Sequence, residues 1–84
     1  MDKNEKSLFD AIQAIVYDVA GVRNVTMDTD LVRDLSLNSF DVASLLNAVE
    51  GHFDMEIPIR DVWSLNQVKD IVEYLSVRLK QRKK

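Results

Sequence analysis

The sequence contains no cysteine and only one histidine, His52, among its 84 residues. Without cysteine, the chain cannot form disulfides, bind metals through thiolates or use a thiol of its own as a nucleophile. A single histidine also excludes a metal site built from several imidazoles. No apolar run approaches the length of a membrane span, and the first residues, MDKNEKS, lack the apolar region of a signal peptide. We therefore expect one soluble cytoplasmic domain over 1–84, with no metal site and no membrane insertion.

Charge is distributed unevenly, although the formal net charge is only −3. Residues 27–59 hold seven acids and one base, whereas residues 78–84, RLKQRKK, hold five bases and no acid. An acidic middle favours partners with basic surfaces, because complementary fields accelerate encounter. The basic run has no interleaved aromatic residue and no nucleic-acid motif. We therefore predict a flexible, solvated tail over 80–84 and no nucleic-acid partner.

Three segments repeat apolar residues with the spacing of one helix face. This periodicity predicts helices over about 5–19, 39–53 and 67–80. Asn4 and Asn66 are the predicted N-caps of the first and last of these helices, and Gly21 is the residue expected just past the end of the first.

Two connections complete the predicted fold. Pro58 blocks helix in the second connection, and a short helix is predicted after it, over 59–64. The first connection, about 22–38, is long for a small domain, so its apolar residues are expected to pin it to the bundle. These residues are Val25, Leu31, Val32, Leu35 and Leu37. The prediction is an all-α small bundle of three main helices and one short one.

Two enzymatic or metal-binding interpretations fail on spacing. A calcium loop beginning at Asp28 needs glycine at its sixth position and glutamate at its twelfth, but Arg33 and Ser39 stand there. Ser39 and His52 lie thirteen positions apart on one predicted helix, roughly 20 Å at a rise of about 1.5 Å per residue. A nucleophile and its base must be within hydrogen-bond reach. We therefore expect no catalysis by this chain alone.

Ser39 admits two interpretations. Either Asn38 or Ser39 can cap the second helix, and Asp41 in the first turn suits the helix dipole. Phe40, however, is out of phase with the apolar face and lies above a polar stripe of Ser44, Asn47 and Gly51. An exposed aromatic at such a position indicates a surface on which something lands. Ser39 is therefore either a structural cap or a functional hydroxyl.

The segment LSLNSF at 35–40, followed by Asp41, opens the second predicted helix. In this segment, and over roughly residues 5–77, the chain resembles the acyl carrier proteins, whose second helix opens with the motif Leu-Gly-x-Asp-Ser-Leu. Downstream, VEGHFDMEIP resembles the family's end of helix two and its Ile-Pro start of helix three. The segment LNQVKDIVEYL resembles the start of its last helix.

The resemblance implies that Ser39 bears 4′-phosphopantetheine, taken from coenzyme A by a separate phosphopantetheinyl transferase. The chain would then be a monomeric, non-catalytic carrier of acyl thioesters for enzymes of fatty-acid, polyketide or related synthesis. Those acyl-transfer and synthase enzymes would present basic docking patches. The residues expected to contact partners are Asn38, Phe40, Asp41 and Asn47, and those expected to line a cargo cavity include Val42, Leu46 and Val49.

The chain also departs from the family pattern. Asn38 replaces the usual aspartate, Phe40 replaces leucine, and Ile59 and Trp63 stand where acids are usual. These changes indicate a specialised carrier with its own partners. Two alternatives remain: a carrier of aminoacyl or peptidyl thioesters, and an unmodified helical adaptor that binds proteins through Phe40, Trp63 and the acidic loop.

Overall fold

A computed structural model of the chain describes residues 3–82 and contains four helices. They are α1 (Lys3–Ala20), α2 (Ser39–Phe53), α3 (Ile59–Val62) and α4 (Val68–Arg82). The predicted small all-α bundle is confirmed, since the described residues form no strand and only one isolated β-bridge.

Helix boundaries differ from prediction mainly at the ends. Asn4 lies inside α1, so its assignment as the N-cap is wrong. The helix α3 is two residues shorter than predicted. The helix α4 continues to Arg82, so the part of the predicted tail at 80–82 is helical, while positions 83 and 84 lie outside the described residues.

The core lies where α1 packs against both α2 and α4. Each helix contributes residues spaced three or four positions apart, which places them on one face and lets them bury together. The most deeply buried side chains include Ile12, Val16, Leu45, Val49, Val68, Ile71, Val72 and Leu75. The chain leaves α1 at Gly21, as predicted, where a φ of 73° turns the backbone and the amide donates to the Tyr17 carbonyl at 2.8 Å.

The long connection between α1 and α2 is attached to the start of α4 by backbone hydrogen bonds. The Val68 amide donates to the Thr29 carbonyl at 3.0 Å, and the Lys69 amide donates to the Met27 carbonyl at 2.9 Å. First-turn amides have no partner inside their own helix, so here the loop supplies the acceptors. The Asp70 carboxylate accepts from the backbone amides of Asn66 and Gln67. The Asn66 side chain makes no such bond to the described residues, so its predicted role as the N-cap is wrong.

The predicted apolar pins of this connection are largely confirmed. Val25, Leu31 and Leu37 are buried, and Leu35 packs against the core. Val32 is the exception, since it is 59% exposed.

Side chains connect α3 to α4 at Tyr74. The Tyr74 hydroxyl donates to Asp61 Oδ2 at 2.7 Å and accepts from the Arg78 guanidinium. Burial and, after it, the hydrogen bond to Asp61 raise the pKa of Tyr74 above its ordinary value of 10.0. The neutral phenol is therefore the form that the fold favours.

This shift predicts the effect of alkaline pH on stability. Because the folded-state pKa of Tyr74 is raised, its stabilisation is complete below about pH 10 and is lost as pH rises through the folded-state pKa. We expect the difference in unfolding free energy between the wild type and Tyr74→Phe to shrink above about pH 10. Urea titrations of both proteins from neutral to alkaline pH measure it. A difference that stays constant across that range would contradict the prediction.

Candidate functional site

Ser39 is the first residue of α2, and the residue before it is the helix cap. Asn38 has extended backbone angles, φ −87° and ψ 179°, and its Oδ1 accepts from the Asp41 amide at 2.8 Å. The Asn38 carbonyl accepts the first helical bond, from Val42 at 2.9 Å. Of the two residues that could cap α2, the fold uses Asn38.

The Ser39 hydroxyl is consequently free. The side chain is exposed, and neither its hydroxyl nor the Ser39 and Phe40 amides make a hydrogen bond within residues 3–82. Free amides at a helix N-terminus, together with the helix dipole, favour a negatively charged group at that point. The site thus combines an accessible oxygen with donors suited to a phosphate.

Ser36 occupies the second position of the LSLNSF segment and has a φ of 58°. This left-handed conformation is energetically unfavourable for a residue with a Cβ. The acyl carrier motif has glycine at this position. The unusual backbone turn is therefore present here without the residue best suited to it.

A small cavity of about 190 Å³ lies beside Ser39, between the start of α2, the helix α3 and the long connection. Its walls are mainly apolar. They comprise Leu31, Val32, Leu37, Asn38, Ser39, Val42, Val62, Trp63, Leu65 and Asn66.

The predicted cargo-lining residues occupy three different environments. Val42 lines the cavity beside Ser39, whereas Leu46 lines an adjoining groove of about 370 Å³ between α2 and α3. Val49 has no exposed surface and packs in the core. Val62, which the sequence interpretation did not single out, lines both the cavity and the groove.

Four exposed apolar side chains belong to the elements around the cavity and the groove. Phe40 is 75% exposed, Ile59 is 70% exposed, and Trp63 and Val32 are each 59% exposed. Val32 and Trp63 border the Ser39 cavity, and Ile59 borders the groove. We call these four residues the apolar patch. From the sequence, Val32 was predicted to pin the connection to the bundle, and Trp63 was named as a contact residue only for the adaptor alternative. The signal for an unusual surface at Trp63 was its position, where acids are usual in the family.

The remaining predicted contact residues, Asn47 and Asp41, both lie on α2. Asn47 is exposed and lines the groove, and Asp41 is half-buried in the first turn of α2. Asp41 is the only charged residue between positions 35 and 49. The first eleven residues of α2 therefore carry a single charge, and the other acids of residues 27–59 lie before position 35 or after position 49.

Two other acids of the middle segment, Asp30 and Asp34, form hydrogen bonds with backbone amides of the long connection. Asp30 Oδ1 accepts from the Val32 and Arg33 amides, and Asp34 Oδ2 accepts from the Asp30 amide at 2.7 Å. Within residues 3–82, no group of three or more potential metal ligands comes together. His52 is exposed at the far end of α2, with its ring against Phe53. Over the same stretch, no helix is long and apolar enough to cross a membrane.

Comparisons with known proteins agree with this geometry. Residues 10–75 match the family model described as the phosphopantetheine attachment site. An acyl carrier protein of Clostridium perfringens is 34% identical over 71 residues, covering 82% of this chain and 93% of that protein. One of Akkermansia muciniphila is 32% identical over 74 residues, covering 86% and 92%. A solved structure from Mycobacterium tuberculosis, assigned as an acyl carrier protein, has a TM-score of 0.78 at 28% identity and covers 83% and 96% of the two chains.

The matched domain is a phosphopantetheine-binding carrier domain. The chain belongs to the acyl carrier protein family, and its cofactor is covalently bound phosphopantetheine. The residues present fit that group, since they offer a free hydroxyl, unoccupied amide donors and an adjacent apolar cavity.

Because Asn38 caps α2 and the Ser39 hydroxyl makes no hydrogen bond with the described residues, substitutions at these two residues should affect stability unequally. Asn38→Ala removes the acceptor of the Asp41 amide and is expected to lower the unfolding free energy by about 1 kcal/mol. Asn38→Asp keeps an acceptor and should retain most of the stability. Ser39→Ala should change it by less than about 0.5 kcal/mol, because the hydroxyl makes no bond. Urea unfolding of the three variants measures this. A larger loss for Ser39→Ala than for Asn38→Ala would show that the serine is the cap.

Proposed function

We propose that Ser39 is the attachment residue for phosphopantetheine, and that this chain carries acyl groups between enzymes without catalysing a reaction itself. The observation that supports it most is the free Ser39 hydroxyl, which has no structural role because Asn38 caps α2. When bound, the arm supplies a thiol that holds acyl groups as thioesters, a chemistry that a chain without cysteine lacks. A separate phosphopantetheinyl transferase would attach it from coenzyme A.

Residues of the chain have distinct roles in this proposal. The Ser39 and Phe40 amides would stabilise the phosphodiester at the start of α2. Val42 and Val62 would shelter apolar cargo in the cavity, at about 0.8 kcal/mol per buried CH₂ group. The apolar lining favours a fatty-acyl or polyketide-type chain over the polar aminoacyl cargo of the alternative interpretation.

Partner enzymes would contact the chain around Ser39, through Asn38, Phe40, Asp41 and Asn47. Phe40 offers an apolar contact, while the acids of residues 27–59 would steer enzymes with basic docking patches. The second candidate function, an unmodified adaptor, is favoured by one observation: the apolar patch would also suit a protein that binds without any prosthetic group.

Modification at Ser39 can be tested by intact mass. Incubation with coenzyme A and a promiscuous phosphopantetheinyl transferase is expected to add one phosphopantetheine group to the wild type and none to Ser39→Ala. Ser44→Ala, which removes a hydroxyl from the same helix more than a turn away, is the matched control and should be modified fully. An unchanged wild-type mass with several transferases would support the adaptor instead.

Charge steering by the acidic segment predicts a salt dependence of this modification. Raising ionic strength from about 0.1 M to about 1 M shortens the Debye length from about 10 Å to about 3 Å. The second-order rate constant with the transferase should therefore fall several-fold. Asp41→Asn should weaken the dependence, whereas Asp10→Asn on α1 changes the same charge away from the site and should not. A rate indifferent to salt would exclude the acidic surface as a steering element.

A further inference from the structure

The short helix α3 borders two spaces, the mainly apolar cavity beside Ser39 and the groove that Ser44, Asn47 and Glu50 also line. Val62 is its one buried side chain and borders both the 190 Å³ cavity and the 370 Å³ groove. Ile59 and Trp63, on either side of it, are mostly exposed. Movement of α3 away from α2 would take Val62 with it and join the two spaces.

Apart from the burial of Val62, few interactions within α3 stabilise its position. It has four residues, and Pro58 precedes it without a side-chain capping bond. A single helical turn is unstable in water unless packing or tertiary hydrogen bonds support it. Its position must therefore depend on contacts with neighbouring elements.

The principal polar contact is made with α4. Tyr74 Oη donates to Asp61 Oδ2 at 2.7 Å, and the Arg78 guanidinium donates to Tyr74 Oη. Arg78 Nη1 also lies 3.9 Å from Asp61 Oδ2. We call Asp61, Tyr74 and Arg78 the α3 tether. In the described part of the chain, it contains the only side-chain hydrogen bond between α3 and another helix.

Two features make the tether stronger than a surface ion pair. The Asp61 and Arg78 side chains are only 31% and 35% exposed, so water screens them incompletely. Arg78 also reaches the Glu56 carbonyl at 3.4 Å, which connects α4 to the segment just before α3. The Tyr74 hydroxyl, as both donor and acceptor, links the carboxylate to the guanidinium.

We propose that the α3 tether controls the opening of α3, and with it the access of cargo to the apolar space beside Ser39. Tyr74 and Arg78 act as positioning residues, since neither lines the cavity beside Ser39 or the groove between α2 and α3. With the tether intact, the cavity and the groove are separate spaces. When the tether is broken, the cavity and the groove merge, and the joined space accommodates a longer acyl chain. The role of this control in cargo transfer rests on the proposed carrier function. The experiments use the unmodified polypeptide, so their outcome does not depend on that function.

Tyr74→Phe is the sharpest variant, because it removes one hydroxyl and keeps the ring. Its matched control is Tyr17→Phe, since Tyr17 on α1 also accepts from an arginine, Arg23, at 3.0 Å with the guanidinium over its ring. Amide hydrogen exchange followed by NMR reports local opening. The reporters are the amides of α3 and the turn after it, namely Asp61, Val62, Ser64 and Leu65.

We expect exchange at these four amides to be at least about 10-fold faster in Tyr74→Phe, with core amides of α1 unchanged. Arg78→Met, which keeps an aliphatic side chain, should accelerate the same amides to a smaller extent. Tyr17→Phe should leave them unchanged. Unaltered exchange at α3 in Tyr74→Phe would overturn the proposal. An equal acceleration of all amides would overturn it too, because the tether would then be part of general stability.

A second measurement addresses access directly. Sodium decanoate, titrated into the unmodified proteins, should shift the Val42 and Val62 methyl resonances at several-fold lower concentration in Tyr74→Phe than in the wild type or Tyr17→Phe. Equal titration curves would contradict control of access by the tether. If Ser39 instead failed to accept phosphopantetheine, the proposed function would fall while both of these results stood.

Discussion

The hydrogen bond from the Asp41 amide to Asn38 Oδ1 is the interaction on which the site depends. The first amides of a helix have no acceptor within the helix, and a capping side chain commonly supplies one. Because Asn38 does so, the next residue can present its hydroxyl to solvent at the positive end of α2. If Ser39 were the cap, its oxygen would be committed to the backbone, and the same sequence would offer no free nucleophile there.

The long connection positions this helix start relative to the rest of the bundle. Leu37, directly before Asn38, donates its amide to the Leu31 carbonyl, and Leu31 donates to the Asn66 carbonyl just before α4. This chain of bonds places the starts of α2 and α4 at one end of the molecule, with the Ser39 cavity between them. The loop carbonyls also accept from the first amides of α4, whereas the first two amides of α2, those of Ser39 and Phe40, remain open to an anion.

Much of this arrangement could be predicted from the sequence, for identifiable reasons. Apolar periodicity determines which face of a long helix is buried, so α2 was predicted at its observed bounds. The choice between Asn38 and Ser39 could not be made, because both residue types are good caps and their backbone angles decide which one acts. The sequence analysis missed the extension of α4 past residue 80. Basic residues are common in the last turn of a helix, so a basic run does not show where the helix stops.

The cavity was the least predictable feature. Its walls come from the connection, α2, α3 and the segment before α4, and no periodicity relates residues on such different elements. Val32 shows this clearly, since an apolar residue in an irregular segment carries no sequence signal for the direction of its side chain. Ser36 itself gave no signal of its left-handed angle, because serine does not mark such turns as glycine does. The only sequence signal was the glycine of the acyl carrier motif at this position.

The mass of the protein purified from the cells that make it, with fragmentation to locate any added group, shows directly whether Ser39 is an attachment residue. We expect a population heavier than the bare polypeptide by phosphopantetheine, with or without cargo, and with the addition on Ser39 alone. A protein that carries no such group in its own cells, or carries it on another residue, would contradict the proposal that the helix cap at Asn38 frees Ser39 for attachment.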